Sequence, residues 1–529
     1  MQAGRPALRR ADHEQVGKDN CVRQIAASLR LRSPVHSHST DHAATAPAPA
    51  APALPAAGSV VAGLVAVLVV LGSVVLDVRI DGAFGLLLVP IGAFVAARHP
   101  AAAVLALFAV TGFAGTLGAF TPLGSRPLAD FVLLSLWLGV LLGFLRGRER
   151  PLWLWPGLLA PTLYLGLTAF EMLLAEPVST GFESFRLSAW TMSAFLLVAL
   201  APWGRSRGAA LARAALLVGA AVGTYAVYRW LTGPAPEEEQ LARQALPGVP
   251  HSTPLRLYGS FPTAQQLASW TATLLPVAFA LLLAWRGRWR LLAAFVVGLC
   301  VFAVLATEVR TGAVAGGAAV ATTLLLYQLS SAFPGGTRVG TALAAVAAVA
   351  VIGGGGFALT VGSSDERAER FSRILTPGED ATYSTRVQRW EDAWPKITDE
   401  PLGHGLGTSG ATAAKGPVQP VAAAGLDSSY LKIGIEQGPI VMVLFIAALI
   451  ALLVGLAVRA IATPDPTAAA LGIGACGTVV ALLVFFYTGF YVEHLQTLSA
   501  WLLIGIGAAQ FTGLRAFPRR PVHGEPGGR

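Results

Sequence analysis

Predominantly apolar stretches of about 15 to 30 residues recur through this chain from Val60 to Phe511, and no other feature narrows its possible folds as much. A helix rises 1.5 Å per residue, so such stretches are close to what a hydrocarbon layer about 30 Å thick requires. Fourteen or so can be read, near residues 59–76, 83–97, 101–120, 128–145, 154–174, 186–202, 209–229, 265–284, 291–306, 311–330, 340–361, 428–457, 468–489 and 495–513. Only 13% of the 529 residues are charged and 54% are hydrophobic, whereas soluble domains carry roughly 25% charged residues. A water-soluble multidomain fold is thereby excluded. The expected fold is all-α, a polytopic membrane helix bundle of about 12–14 transmembrane helices with a large extracytoplasmic loop.

The formal net charge is +9, which by itself suits either a nucleic-acid patch or the inner-side bias of a membrane protein. Its distribution favours the second. Arg98, then Arg146, Arg148 and Arg150, Arg205 and Arg207, Arg286 to Arg290, Arg338, Arg459, and Arg515, Arg519 and Arg520 all fall in every second connection. By the positive-inside rule those connections and both termini are cytoplasmic, placing the protein in the cell membrane as a multi-pass chain. Assigning each charge to its nearer side puts about 23 Lys/Arg and 7 Asp/Glu inside and about 15 and 22 outside. Nucleic acid is not needed to explain the surplus. Two long connections, about 230–264 and 362–427, then face outward, and loops of such length are usually functional or disordered.

Residues 1–56 are of different material: a basic, polar stretch to Arg32, a Ser/His tract containing His36, His38 and His42, and an Ala/Pro run. This composition cannot pack a core and reads as a disordered cytoplasmic tail. The transmembrane domain is expected over 57–515 and a second cytoplasmic tail over 516–529. No cleavable signal pattern precedes Val60, so the first apolar stretch reads as a retained helix. Cys21, Cys300 and Cys476 have neither disulfide nor metal spacing. The run Gly353 to Gly356 lacks the Lys and Ser/Thr of a phosphate loop and suits close helix packing.

Charged groups at the outer ends of spans are costly in lipid and mark bundle interiors or aqueous cavities. Four places carry them. In Arg256-Leu-Tyr-Gly-Ser-Phe-Pro-Thr-Ala-Gln265-Gln266, an outer loop enters a span; Arg256 is a forked cation suited to phosphate oxygens and the glutamines suit sugar hydroxyls, although Arg256 can equally be a solvated charge. Thr307-Glu308-Val309-Arg310-Thr311-Gly312 is a short outer turn in which Glu308 and Arg310 are either functional or a structural ion pair. Tyr383 to Trp394 has helical spacing, with Arg386 and Arg389 three apart; Trp390 and Trp394 fit interfacial anchoring, and Pro395 should end or kink the helix. In Asp427-Ser428-Ser429-Tyr430-Leu-Lys432-Ile-Gly-Ile-Glu436-Gln-Gly438 the large loop returns to the membrane; Asp427 stands where a helix N-cap should, and Lys432 and Glu436 form a polar stripe four residues apart.

These four places, in this order, resemble the O-antigen ligase and polymerase superfamily over about 255–450. Arg256-x-x-Gly-Ser-Phe looks like that family's Arg-x-x-Gly-x-Phe motif, and Glu308-Val309-Arg310-Thr-Gly resembles its Ser-Arg-Gly turn, with Val309 where Ser is usual. The segment Arg386 to Trp394, followed by Pro401-Leu-Gly-His404-Gly-Leu-Gly-Thr, resembles its Arg/Trp helix and Pro-Leu-x-Gly-x-Gly-x-Gly stretch. Asp427-Ser428, nine residues and then Gly438 is similar to the ligases' His-(Asn/Ser/Gln)-x9-Gly motif, with Asp427 in place of His.

The resemblance implies a GT-C-like bundle that transfers or polymerises glycan from a polyprenyl-diphosphate carrier onto an acceptor hydroxyl of a glycan or glycolipid at the outer face, without cofactor, metal or nucleic acid. Asp427 as general base and Arg310 on the departing diphosphate are the catalytic candidates; Arg256, Arg386, Arg389, Gln265, Tyr430, Glu436 and His494 are the candidates for binding substrate. A free carboxyl with a pKa near 3.9 is a weak base, so this role needs partial burial. His494 and His404 compete for it. The rival reading is a transporter or flippase of lipid-linked sugars, but no internal repeat stands out and the charges gather near the outer ends of spans rather than at the midplane.

Overall fold

Long runs of Leu, Ala, Val and Phe without interior charge leave the backbone in lipid little choice but to bond within each segment as a helix. The computed structural model describes residues 80–120, 125–145, 156–200, 205–245, 256–333, 381–413, 421, 427–489 and 491–512. Among these the chain forms α1 (Ile80–Arg98), α2 (Pro100–Gly112), α3 (Ala114–Phe120), α4 (Ser125–Leu145), α5 (Pro156–Leu174), α6 (Val178–Leu187), α7 (Ala189–Leu200), α8 (Arg205–Thr232), α9 (Pro236–Gln244), α10 (Ala264–Ala284), α11 (Arg288–Ala306), α12 (Arg310–Leu329), α13 (Ala381–Asp399), α14 (Gly410–Ala413), α15 (Ser429–Ala462), α16 (Pro466–Thr488) and α17 (Gln496–Thr512), and no strand. Every expected apolar stretch within the described residues coincides with a helix; those at 59–76 and 340–361, the Gly353 to Gly356 run and the first 56 residues lie outside them.

The architecture is a polytopic helical membrane bundle. Among the described residues eight helices, α4, α5, α8, α10, α11, α12, α15 and α16, are long and apolar enough to cross a membrane, and α2 with α3, bent by 77°, makes a ninth if counted as one span. At 12 and 17 residues, α7 and α17 are shorter than a full crossing of about 20. At the centre α10 packs on α16; 94% and 83% of their spans are buried, against 39–50% for the other six. Small residues allow this approach: a β-carbon at Gly477 would lie 2.4 Å from Pro276 Cβ. Around this pair stand α11, α12, α15 and α17, with α7 against α17, α5 against α15 and α1 against α4.

Two breaks shape one end of the bundle. Between α2 and α3, the bend frees polar backbone groups that Ser260 takes up: its Oγ donates to the Gly112 carbonyl at 2.6 Å, and its carbonyl accepts from Gly115 and Thr116 N–H at 2.7 and 3.2 Å. In α15, Gly438 has φ 83° and ψ 166°, and Pro439 follows, so a short segment ending at Gln437 precedes the long apolar one. The Ile435 and Glu436 carbonyls at this break accept instead from His404 and Gly405 N–H, at 2.8 and 2.9 Å. The stretch read as one span from 428 is thus a broken helix, because proline has no N–H to give and the loop at 401–411 supplies the missing donors.

Only glycine fits at 438, where a β-carbon would lie 2.1 Å from the Pro401 carbonyl oxygen. Gly438→Ala is therefore expected to destabilise the protein by at least about 1–3 kcal/mol, the cost of a backbone region nearly exclusive to glycine. A lower melting temperature of the detergent-purified variant would show this; an unchanged one would contradict the strain argument.

Helix α9, in the connection that follows α8, is docked by one carboxylate. Glu238 of α9 is buried and accepts from Thr116 Oγ1 at 2.9 Å and from the Tyr225 hydroxyl at 2.6 Å, while Arg229 Nε lies 2.9 Å away. The amphipathic α13 runs through Pro395 to Asp399, so of the two outcomes expected of the proline, ending or kinking the helix, the ending does not occur. Its inward stripe is Arg386, Trp390, Ala393 and Ile397, and Trp394 is exposed.

Candidate functional site

The connections expected on the outer side meet at one end of the bundle. Arg126, near the start of α4, donates to the Leu187 carbonyl at 2.8 Å and to the Glu493 carbonyl at 2.7 Å, and the Gln496 amide donates to Gln266 Oε1 at 3.3 Å. Ser429 Oγ donates to the Gly489 carbonyl at 2.6 Å and accepts from Val492 N–H at 3.1 Å. At this end the first residues of α15 come against α13 and the turn Tyr491–Glu493.

Asp427 lies just outside α15 with φ 48°, in the left-handed region. The N-cap is Ser428, and its side chain makes no capping bond. The capping explanation of Asp427 therefore fails: its carboxylate is turned to α13, where Arg386 Nε and Arg389 Nη1 reach the same Oδ2 at 3.3 and 3.4 Å. All three side chains keep contact with water, at 28%, 45% and 33% exposure for Arg386, Arg389 and Asp427. Trp390 packs on Tyr487 at 4.9 Å, which fixes the α13 face that carries the arginines. Tyr430, the second residue of α15, donates its hydroxyl to the Leu483 carbonyl at 3.1 Å.

The other candidates stand on other elements. Arg310 is the first residue of α12, after Glu308 at φ 55°, and Gly312 brings this end of α12 against Ala268 of α10. Arg256 is exposed at the start of the segment that enters α10, and Gln265 is exposed while its neighbour Gln266 is half-buried. The Gly259-Ser260 part of that segment is explained by packing into the α2–α3 bend. His404 holds the Lys396 carbonyl through Nε2 at 3.1 Å.

His494 is half-buried and packs edge-on to Tyr491 at 5.0 Å. Its Nδ1 is buried without a hydrogen-bond partner among the described residues. Burial pushes its imidazole down to about 4 from an ordinary 6.5, against a smaller upward pull from Glu493. The folded state thus keeps this ring neutral where the unfolded chain would protonate it. Its stabilising contribution is complete above about pH 6.5 and fades as pH falls toward 4. Between pH 7 and 4.5 the wild-type melting temperature should fall further than that of His494→Phe, which keeps an aromatic ring on Tyr491; parallel curves would contradict this.

Glu436 lies beneath the trio and is fully engaged. Oε1 accepts from Gly407 and Ser409 N–H at 3.1 and 3.2 Å; Oε2 accepts from Ser184 Oγ at 3.1 Å and from the Lys432 ammonium. The loop at 401–411 threads these amides inward through Gly403, Gly405, Gly407 and Gly410, all at positive φ. At Gly403 a β-carbon would lie 2.4 Å from the Glu436 carbonyl oxygen. In this chain the Pro401-Leu-Gly-His-Gly-Leu-Gly run thus serves close approach to a buried carboxylate. Ser184, Arg126 and Glu493 were not among the sequence candidates; their contacts with α15 and with one another span 61 to 367 residues, and only Lys432 carried a local signal.

The fold and this end of it define a multi-pass helical membrane protein with a cluster of arginines and carboxylates where the connections at one end of the bundle converge. The family model described as O-antigen ligase matches residues 295–446, which supports the resemblance read from the motifs. The matched segment holds Arg310, Arg386, Arg389, Asp427, Tyr430 and Glu436, and leaves Arg256, Gln265 and His494 outside. Such a match supports a glycan-transferring membrane protein of ligase or polymerase type. A search of the curated proteins found no match.

Proposed function

We propose that this protein transfers or polymerises a glycan from a polyprenyl-diphosphate carrier onto an acceptor hydroxyl, at the extracytoplasmic end of the bundle as the positive-inside rule orients it. The observation that carries the reading is the convergence of Arg386 and Arg389 on Asp427 within the family-matched segment. The acceptor oxygen bonds to the anomeric carbon, the bond from that carbon to the diphosphate breaks, and the hydroxyl proton passes to Asp427. Charge gathers on the departing diphosphate, where arginines at the same end, including Arg310 and Arg256, stabilise it.

The contacts seen here suggest how one carboxylate and two arginines share this work. With both guanidiniums on Oδ2, that oxygen is occupied. A diphosphate offers Arg386 and Arg389 a more highly charged partner, and their move to it releases Oδ2 to take the proton as the leaving group is neutralised. Contacts of 3.3 and 3.4 Å between partly exposed side chains are weak enough for this exchange.

The test is transfer by the purified protein in detergent, with a polyprenyl-diphosphate-linked glycan and a glycan acceptor, read as new product by mass spectrometry. Product formed where no second compartment exists excludes a role confined to transport. Carrier movement in vesicles with no product under any acceptor would overturn the proposal.

A further inference from the structure

Lys432 is 1% exposed, and the two carboxylates beside it, Glu436 and Glu493, are 3% and 4% exposed. Buried charge in such a place is costly unless paired, yet none of the three takes part in the chemistry above. The ammonium bonds Glu436 on its own helix and lies 3.4 Å from Glu493 Oε1 in the turn before α17. It also donates to Ser184 Oγ of α6 at 3.2 Å. Two carboxylates against one ammonium leave an excess of negative charge, which the backbone partly compensates: Gly407 and Ser409 N–H donate to Glu436, and Ala411 N–H donates to Glu493 Oε2 at 3.0 Å. Oriented amides of this kind form a fixed positive cradle. Gly410 packs directly against this group: its φ is 74°, and a β-carbon there would lie 2.8 Å from Lys432 Cε.

Three elements of the candidate site, the start of α15, the Tyr491–His494 turn and α13, are tied to this node. The segment of α15 that Asp427 precedes carries Lys432 and Glu436. The turn with Tyr491 and His494 carries Glu493. The loop at 401–411 passes its hold on to α13: His404 bonds the Lys396 carbonyl, Lys396 Nζ donates to the Val421 carbonyl at 2.8 Å, and Val421 N–H donates to the Thr408 carbonyl at 3.1 Å. Ile397 of α13 also packs on Ile435. We infer that Lys432 is a positioning residue, whose ammonium locks the glycine-rich loop and the Tyr491–His494 turn onto α15 and so sets Arg386 and Arg389 against Asp427. The inference rests on the proposed transfer reaction for its consequence, and on the clamp alone for its geometry.

The two parts are tested separately on the full chain in detergent or nanodiscs. In hydrogen exchange, Lys432→Met should speed exchange of the amides of Gly407, Ser409 and Ala411 by at least about tenfold, since local opening is set by such anchors. Lys432→Met/Glu493→Gln, which removes one charge of each sign, should restore much of the protection. In the transfer assay, Lys432→Met should lower kcat of the monodisperse, folded fraction by about 10- to 100-fold with a smaller change in donor KM, because a shift of about 1 Å in catalytic groups has that effect. The double variant should recover more than half of the loss on a logarithmic scale. Unchanged amide exchange in Lys432→Met overturns the clamp. Faster exchange with wild-type kcat shows a purely structural node and overturns the positioning role. Absence of transfer by the wild-type protein, with the exchange result as expected, refutes the reaction and the positioning role and leaves the clamp standing.

Discussion

Asp427→Asn is expected to lower the rate of glycan transfer by about 10²- to 10⁴-fold, the usual contribution of a positioned acid or base, with a normal amount of folded protein. Three features of the structure make the substitution clean. The backbone at 427 has φ 48°, a conformation that asparagine adopts as readily as aspartate. The N-cap of α15 is Ser428, so no cap is lost. The two ion pairs are partly exposed, and pairs of that kind contribute at most about 1 kcal/mol each. What the amide cannot do is accept the acceptor's proton. Asp427→His, which places there the residue usual in the resembling ligase motif, should retain more activity than Asn. The checks are initial rates at saturating donor and melting curves of each variant. Wild-type rates for Asp427→Asn would remove the residue from proton transfer.

The second large effect is expected for Arg386→Ala/Arg389→Ala. If the pair passes from Asp427 to the diphosphate, its removal takes two charge-assisted donors from the developing negative charge, and loss of even one such donor costs about 10²–10³ in rate. The predicted result is a fall of about that size or more in kcat/KM for the lipid-linked donor, with a melting temperature close to wild type. Arg386→Lys/Arg389→Lys should recover part of the loss: the ammonium keeps the charge but not the forked geometry that suits phosphate. Donor titrations of the three proteins provide the measurement. A double alanine variant within threefold of wild type would show that the arginines serve only to hold Asp427.

The fold was largely legible beforehand because crossing a membrane is a local demand. Length, hydropathy and missing charge within some 20 consecutive residues decide it, and α4, α5, α8 and α10 through α12 follow the expected stretches closely. The breaks were less legible. Pro395 was expected to end or kink α13 and lies inside it without ending it, whereas Gly438-Pro439 breaks α15 inside what read as one span. The difference lies in the surroundings: at Gly438 the loop at 401–411 satisfies the freed carbonyls and leaves no room for a helical course.

The candidate site divides in the same way. The sequence by itself determined that charged residues stand at the ends of spans and that Arg386 and Arg389 share a helix face, since these depend on neighbours within a few residues, and that the order of motifs resembles a glycan ligase, since order is read directly along the chain. Only the tertiary structure decided that Asp427 faces those arginines rather than capping its helix, across 41 and 38 residues. It also decided that Glu436 is held by Ser184, 252 residues away, and by the amides of a glycine-rich loop. Hydropathy and charge act locally and are written along the chain; the partner of a buried charge is chosen by which helices come together, and that choice exists only once the bundle has formed.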